Sequence, residues 1–317
     1  MTEFRIATRS SELALRQARQ VQSRLLERGI QSTLKTYRTV GDKKLDQSLS
    51  AIGAKGLFTQ ELEHDLLAGK VECCVHSLKD LPTAMPQGLD VVAVLEREDP
   101  RDALIVNDVT GASSIDDLPR GSRVGSSSLR RRAQLLARRG DLEVVDLRGN
   151  VPTRVHKVDE GQVHAAILAA AGLHRLDLHE RITCYLDAPE WLPAPGQGAI
   201  AIQIRSVDAA VRDVIASLNH EDTWIAVRAE RAFLGALEGG CQVPIGALAM
   251  GGSSGDMLHG FISDLHGKQI ARGSHALDRA APELSGVRLA NDLREQGASE
   301  ILEELRRAEA LPAPQPE

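Results

Sequence analysis

The sequence predicts an α/β protein built as two lobes, followed by a smaller α+β domain. Three observations carry that prediction. Short apolar runs alternate with helical periodicity over the first two thirds of the chain, and a charged stretch containing Pro100 interrupts two strand-like runs. From Asn219 the pattern changes to one long helix and three short strands. With 317 residues, 42% of them hydrophobic, the chain can bury several cores.

The first segment, "FRIATR", reads as a strand. Ser10 or Ser11 then caps a helix in which Ala14, Ala18, Val21 and Leu25 recur at helical spacing until Gly29 stops it. "STLKTYR" is a second strand. Gly41 to Phe58, "GDKKLDQSLSAIGAKGLF", has little regular pattern and is expected to be a mobile loop over a site. A helix over 59–68 and a strand over 71–77 follow. In "VECCVHS" the alternation puts Cys73 and Cys74 on opposite faces, both in the core. "VVAVLEREDPRDALIV" is an interdomain crossing with a boundary near Glu98 to Asp102. The alternation then restarts with "RVGSSS" into a helix from Leu129, the strand "LEVVDL", a helix after Asn150 and the strand "HAAILAA". "LPAPGQGAIAIQI" marks a return toward the first lobe. Beyond Asn219 come the long helix, strands near 245–251, 257–263 and 268–274, and terminal helices. No internal repeat is visible, and the tail "LPAPQPE" is expected to be disordered.

Composition excludes several function classes. A net charge of -6 and an aromatic content of 3% argue against a nucleic-acid surface. The N-terminus has no apolar core of signal-peptide length, and "VHAAILAAAGL" is too short to span a bilayer, so a cytoplasmic address is expected. The four cysteines, Cys73, Cys74, Cys184 and Cys241, fit no disulfide framework and have no metal-ligand spacing. Cys241 stands apart. In "LEGGCQVPIG" the glycines and Pro244 display its thiol on a turn, which suits covalent attachment, although a buried loop cysteine is the commoner case.

In an open parallel sheet, ligands bind beyond the carboxyl ends of the strands, and Ser77, Lys79 and Asp80 fall at such a rim. Position alone also allows a surface Lys–Asp pair, and His76 is expected to satisfy a local hydrogen bond. "GSSSLRRR" joins a strand to a helix. Ser126, Ser127 and Ser128 with the free amides of the first turn would form an anion site, strengthened by the arginines, although all three cannot share one helix face and Arg132 is expected to be solvated. Arg148 and Arg154 follow in "LRGNVPTR". Local arginine clusters on an acidic protein point to a confined anionic ligand.

In order, "ATRSSELAL", "GAKGLFTQELE", "VHSLKDLP", "EREDPRDAL", "GSSSLRRRAQL", "LRGNVPTR", "AGLHRL", "LPAPGQGAIAI" and "LEGGCQVPIG" resemble the porphobilinogen deaminases, or hydroxymethylbilane synthases, from Arg5 to about Gly246. The resemblance implies a cytoplasmic transferase that condenses four porphobilinogen molecules head to tail with loss of ammonia and hydrolyses off linear hydroxymethylbilane, in tetrapyrrole (heme) biosynthesis. It implies a dipyrromethane cofactor joined by a thioether to Cys241. It also implies two domains like type II periplasmic binding proteins, 1–98 with 199–217 and 103–194, and a third, 219–317, carrying the cysteine. By motif position, Asp80 is the catalytic carboxylate, stabilising the cationic azafulvene left by loss of ammonia and mediating proton transfer. Lys79, Ser127, Ser128, Arg130 and Arg131 carry over as cofactor-binding, and Arg9, Ser11, Arg148, Arg154 and Arg175 as substrate-binding. Guanidinium groups hold the acetate and propionate groups of each pyrrole bidentately. Lys55 belongs to the active-site loop, in which Ala54 and Val40 depart from the glycine and the basic residue common there. The resemblance implies a monomer whose partner is porphobilinogen, with no metal, nucleic acid or membrane. The competing reading of two lobes and a crossing is a hinged solute-binding protein; a nucleic-acid regulator is more distant.

Overall fold

The computed structural model describes residues 4–39, 59–237, 243–251 and 255–310. The predicted loop Gly41–Phe58 and the tail "LPAPQPE" lie outside these residues.

The chain opens with β1 (Phe4–Arg9), α1 (Glu12–Leu26), β2 (Ser32–Tyr37), α2 (Gln60–Leu67), β3 (Cys73–Ser77) and β4 (Leu89–Val94). Of the two serines that could cap α1, it is Ser11 whose side chain accepts from the Ala14 N–H. Period-two alternation sorts the strand residues onto two faces. Ile6 and Cys73 pack with Ala18, Val21 and Leu25 of α1, whereas Ala7 and Cys74 pack with Leu62 and Leu66 of α2.

The next segments are β5 (Asp102–Val106), β6 (Arg123–Gly125), α3 (Leu129–Arg138), β7 (Glu143–Val145), α4 (Val151–Asp159), β8 (Ala165–Ala169), α5 (Ala170–Arg175) and β9 (Cys184–Leu186). Ser128 and Asn150 cap α3 and α4 through their side chains. Sequence patterning did not predict α5 or β9, the first because it continues an apolar run without a break, the second because it is three residues long. The chain then returns through β10 (Ile200–Arg205) and α6 (Ala209–Ala216), another element the pattern missed.

The two sheets have orders β2-β1-β3-β10-β4 and β7-β6-β8-β5-β9. Neither is the open parallel sheet expected. In the first, β1 runs parallel to β2 and β3, and β10 is inserted antiparallel between β3 and β4. In the second, β6 runs parallel to β7 and β8, and β5 is inserted antiparallel between β8 and β9. Each inserted strand is the one the chain enters on crossing from the other lobe. The lobes thus share one plan with no repeat in their sequences. The crossings touch: Gly198 has φ +89, and a Cβ there would meet the Glu98 carbonyl oxygen at 2.3 Å, so glycine is required on both counts.

The C-terminal part consists of α7 (Glu221–Ala236), the antiparallel strands β11 (Ile245–Met250), β12 (Met257–Ser263) and β13 (Ile270–Ala276), α8 (Pro282–Leu293) and α9 (Ser299–Ala310). Phe233 of α7, Leu258 and Ile262 of β12 and Leu289 of α8 share its core. This part is bolted to both crossings by Glu230, which is fully buried. Its carboxylate accepts from Arg97 at 2.6 and 3.0 Å, from the Gly196 N–H at 2.7 Å and from the Ala249 N–H at 2.9 Å.

Candidate active site

The carboxyl ends of the strands in both lobes open onto one cleft, lined by Leu13 and Gln17 of α1, Ser77 and Lys79 after β3, Arg131 of α3 and Arg154 of α4. Arg175 of α5 and the crossing residues Gly198 and Ala199 complete that wall. An ion pair of 3.0 Å between Arg16 and Asp177 joins the lobes beside it.

Four cations and no carboxylate belong to this lining. Burial and the neighbouring Arg131 push Lys79 down to about 8. Burial, with Arg131 and Arg148 close by, pushes Arg154 down to about 10, and burial does the same to Arg175. Each shift records chiefly the burial of a charged form, opposed by Asp80 and Asp102 at Lys79, by Asp80 at Arg154 and by Glu98 at Arg175. Arg154 Nε donates to the Gly149 carbonyl at 2.8 Å, and Arg175 donates to the Gly198 carbonyl at 2.7 Å. Arg131 Nε and Arg175 Nε are buried without an acceptor. Asp80 ends the short 3-10 turn Leu78–Asp80, exposed, close enough for its charge to act on Lys79 and Arg154.

At the back of the cleft lies Asp102, fully buried and held well below the usual carboxylate range by Arg130 and Arg131, against the opposing effect of burial. Arg130 reaches it at 2.7 and 3.3 Å and Arg131 at 2.7 Å. Trp191 Nε1 donates to it at 2.8 Å and Gln197 Nε2 at 2.9 Å.

This arrangement corrects part of the sequence reading. Arg130 is 5% exposed, does not line the cleft, and divides its guanidinium between Asp102 and the Leu192 carbonyl at 2.8 Å. The two arginines turn inward together because one buried carboxylate receives both, and Arg132 is half-buried rather than solvated. Ser127 donates its hydroxyl proton to the Leu147 carbonyl at 3.3 Å. Ser11 and Ser128 use their oxygens as cap acceptors, and each keeps its proton free to donate. Arg9 sits at the end of β1, near His76, which is pushed down to about 4 chiefly by burial and which meets Gln203 at 3.2 Å. Neither Arg9 nor Arg148 lines the cleft. Cys241 and Lys55 lie outside the described residues.

Sequence reasoning missed Gln17, Asp102, Trp191 and Gln197. A signal existed for Asp102: an acid opening a five-residue strand that is buried throughout needs an internal cation. The stability test follows. Arg130→Leu leaves part of Asp102 unpaired and is expected to cost about 3 kcal/mol in chemical denaturation, the scale for removing one partner of a buried pair. Arg131→Leu is expected to impair cofactor loading as well.

Two mixed-sheet lobes joined by two crossings, with a cationic cleft at the strand ends between them, define a type II periplasmic-binding-protein-like fold. A profile for the "Porphobilinogen deaminase, dipyromethane cofactor binding domain" matches residues 4–213, and one for the "Porphobilinogen deaminase, C-terminal domain" matches residues 224–295. The porphobilinogen deaminase of Syntrophobacter fumaroxidans is 46% identical over 307 residues, 96% of this chain and 98% of that protein. That of Syntrophomonas wolfei is 48% identical over 312 residues, 97% of this chain and 100% of that protein. Among solved structures, the methionine binding protein MetQ aligns with 74% of this chain and 94% of its own at 13% identity and a TM-score of 0.44. The chain belongs to the porphobilinogen deaminase family, pyrrole-linking transferases of tetrapyrrole biosynthesis that carry a covalent dipyrromethane cofactor.

Proposed function

We propose that the interlobe cleft is the active site of the chain's porphobilinogen deaminase activity, with the cofactor anchored on Cys241 and Asp80 as the catalytic carboxylate. The observation that carries this reading is the cleft lining of Lys79, Arg131, Arg154 and Arg175 with no carboxylate among them. A dipyrromethane fits that wall, because its carboxylates supply the acceptors that Arg131 Nε and Arg175 Nε lack. When bound, it supplies the free pyrrole α-carbon to which substrate units are added.

The chain's own residues divide the remaining work. Lys79 and Arg131 hold carboxylates at the lobe junction, and Arg154 and Arg175 hold those of arriving substrate. Ser11 and Ser128 contribute a hydroxyl proton each, and Arg9 and Arg148 add positive potential from just outside the lining. Asp80 faces the positive charge that develops as ammonia leaves and takes the proton lost from the attacking α-carbon. Residues 1–98 with 199–217 form the first domain in this scheme, 103–194 the second and 219–317 the third, and Lys55, outside the described residues, belongs to the active-site loop. The enzyme is assigned to the cytoplasm as a monomer, without metal, nucleic acid or membrane. No helix among the described residues is long and apolar enough to cross a membrane.

The test is one intact-mass spectrum of the purified chain combined with an assay on porphobilinogen. A mass exceeding the sequence by two linked pyrrole units, with hydroxymethylbilane formed, is expected. A bare sequence mass with reversible binding of a small anion would favour the solute-binding alternative instead.

A further inference from the structure

Gln197 lies on the second crossing, 1% exposed, and its surroundings fix which way its amide points. Nε2 faces the Pro100 carbonyl at 2.8 Å, the Arg101 carbonyl at 3.2 Å and Asp102 Oδ1 at 2.9 Å. An amide oxygen in that place would meet three acceptors, so the oxygen is turned to the other side. There it accepts from Lys79 Nζ at 3.2 Å. Among the described residues it is the one hydrogen-bond acceptor of that ammonium. The Gln197 backbone is equally fixed: its carbonyl accepts from Arg97 Nε at 2.8 Å, and Arg97 is clamped by Glu230.

We infer that Gln197 is a positioning residue that aims the Lys79 ammonium into the cleft and ties it to the Asp102–Arg131 node and to both crossings. The inference rests on the reading of Lys79 as a cofactor-binding cation. The residue type suits the task. A neutral acceptor directs a cation without cancelling its charge, whereas a carboxylate there would neutralise the ammonium meant for the ligand and would face Asp102. Lys79 also feels Asp80 and Asp102 as opposite charges and Arg130 and Arg131 as like charges. Its charged form therefore depends on a balance of burial and neighbouring charges, and the amide oxygen at 3.2 Å fixes where the ammonium sits within it.

The test uses the full chain in three variants: Gln197→Met, Gln197→Glu and, as reference, Lys79→Met. Two quantities are read, the fraction carrying covalent cofactor by intact mass and the alkaline limb of the kcat/KM–pH profile. Gln197→Met is expected to lower the loaded fraction several-fold and move the limb to lower pH, since the ammonium loses the acceptor that favours it. Gln197→Glu is expected to move the limb up by about one unit, the scale of one added opposite charge nearby. A role confined to stability would lower Tm and loading but leave the limb where it is in both variants, which overturns the inference. Lys79→Met separates the two readings. If it loads fully and keeps the limb, the reading of Lys79 fails and takes the inference with it. If it loses both while the Gln197 variants keep both, only the inference fails.

Discussion

Cys241→Ala is expected to give a folded chain with no covalent dipyrromethane and no measurable hydroxymethylbilane formation. Attachment through a thioether needs a thiolate, and the other cysteines are poor sources of one. Burial pushes the Cys73 and Cys74 thiols well above the ordinary range, and burial also raises half-buried Cys184. Cys73 and Cys74 lie inside the two faces of the first lobe's core, beyond reach of the cleft ligand. Cys241 of "LEGGCQVPIG", outside the described residues, is the proposed anchor. Intact mass reads the outcome directly, and far-UV circular dichroism with Tm establishes that the variant folds. Recovery of a covalently attached dipyrromethane on that variant would sink the assignment.

Asp80→Asn separates chemistry from binding. The substitution keeps shape and most hydrogen-bonding capacity but removes the only negative charge placed to act on both Lys79 and Arg154 among the described residues. The cations proposed to hold carboxylates stay in place, so the variant is expected to carry its cofactor and bind porphobilinogen. Its turnover is expected to fall at least ~100-fold, the scale for losing a positioned acid–base or electrostatic group. Cofactor occupancy is first confirmed by mass, and hydroxymethylbilane formation is then measured at saturating substrate. Near wild-type turnover in a fully loaded variant would place the catalytic carboxylate elsewhere, with Asp46, outside the described residues, the next candidate.

What the sequence determined by itself is local. Side-chain alternation put Cys73 and Cys74 on opposite faces of one strand, and a serine at position 10 or 11 before apolar periodicity marked the start of α1, which the structure caps with Ser11. The order of motifs carried the family. These features depend on neighbours within one or two turns, so their physics is written in adjacent letters.

Only the tertiary structure decided which distant groups meet. Successive residues on a helix point about 100° apart, which argues that Arg130 and Arg131 diverge, yet both long side chains converge on Asp102, 28 and 29 positions away. That convergence pairs Arg130 with a buried carboxylate, a contact that no local pattern announces. The antiparallel insertion of β10 between β3 and β4 likewise has no local signature, because its hydrogen bonds pair residues more than a hundred positions apart. The same return of the chain brings Gln197 to Lys79 across 118 positions. A buried charge must find a partner, but the sequence states only that need; the sheet topology chooses which residue answers it.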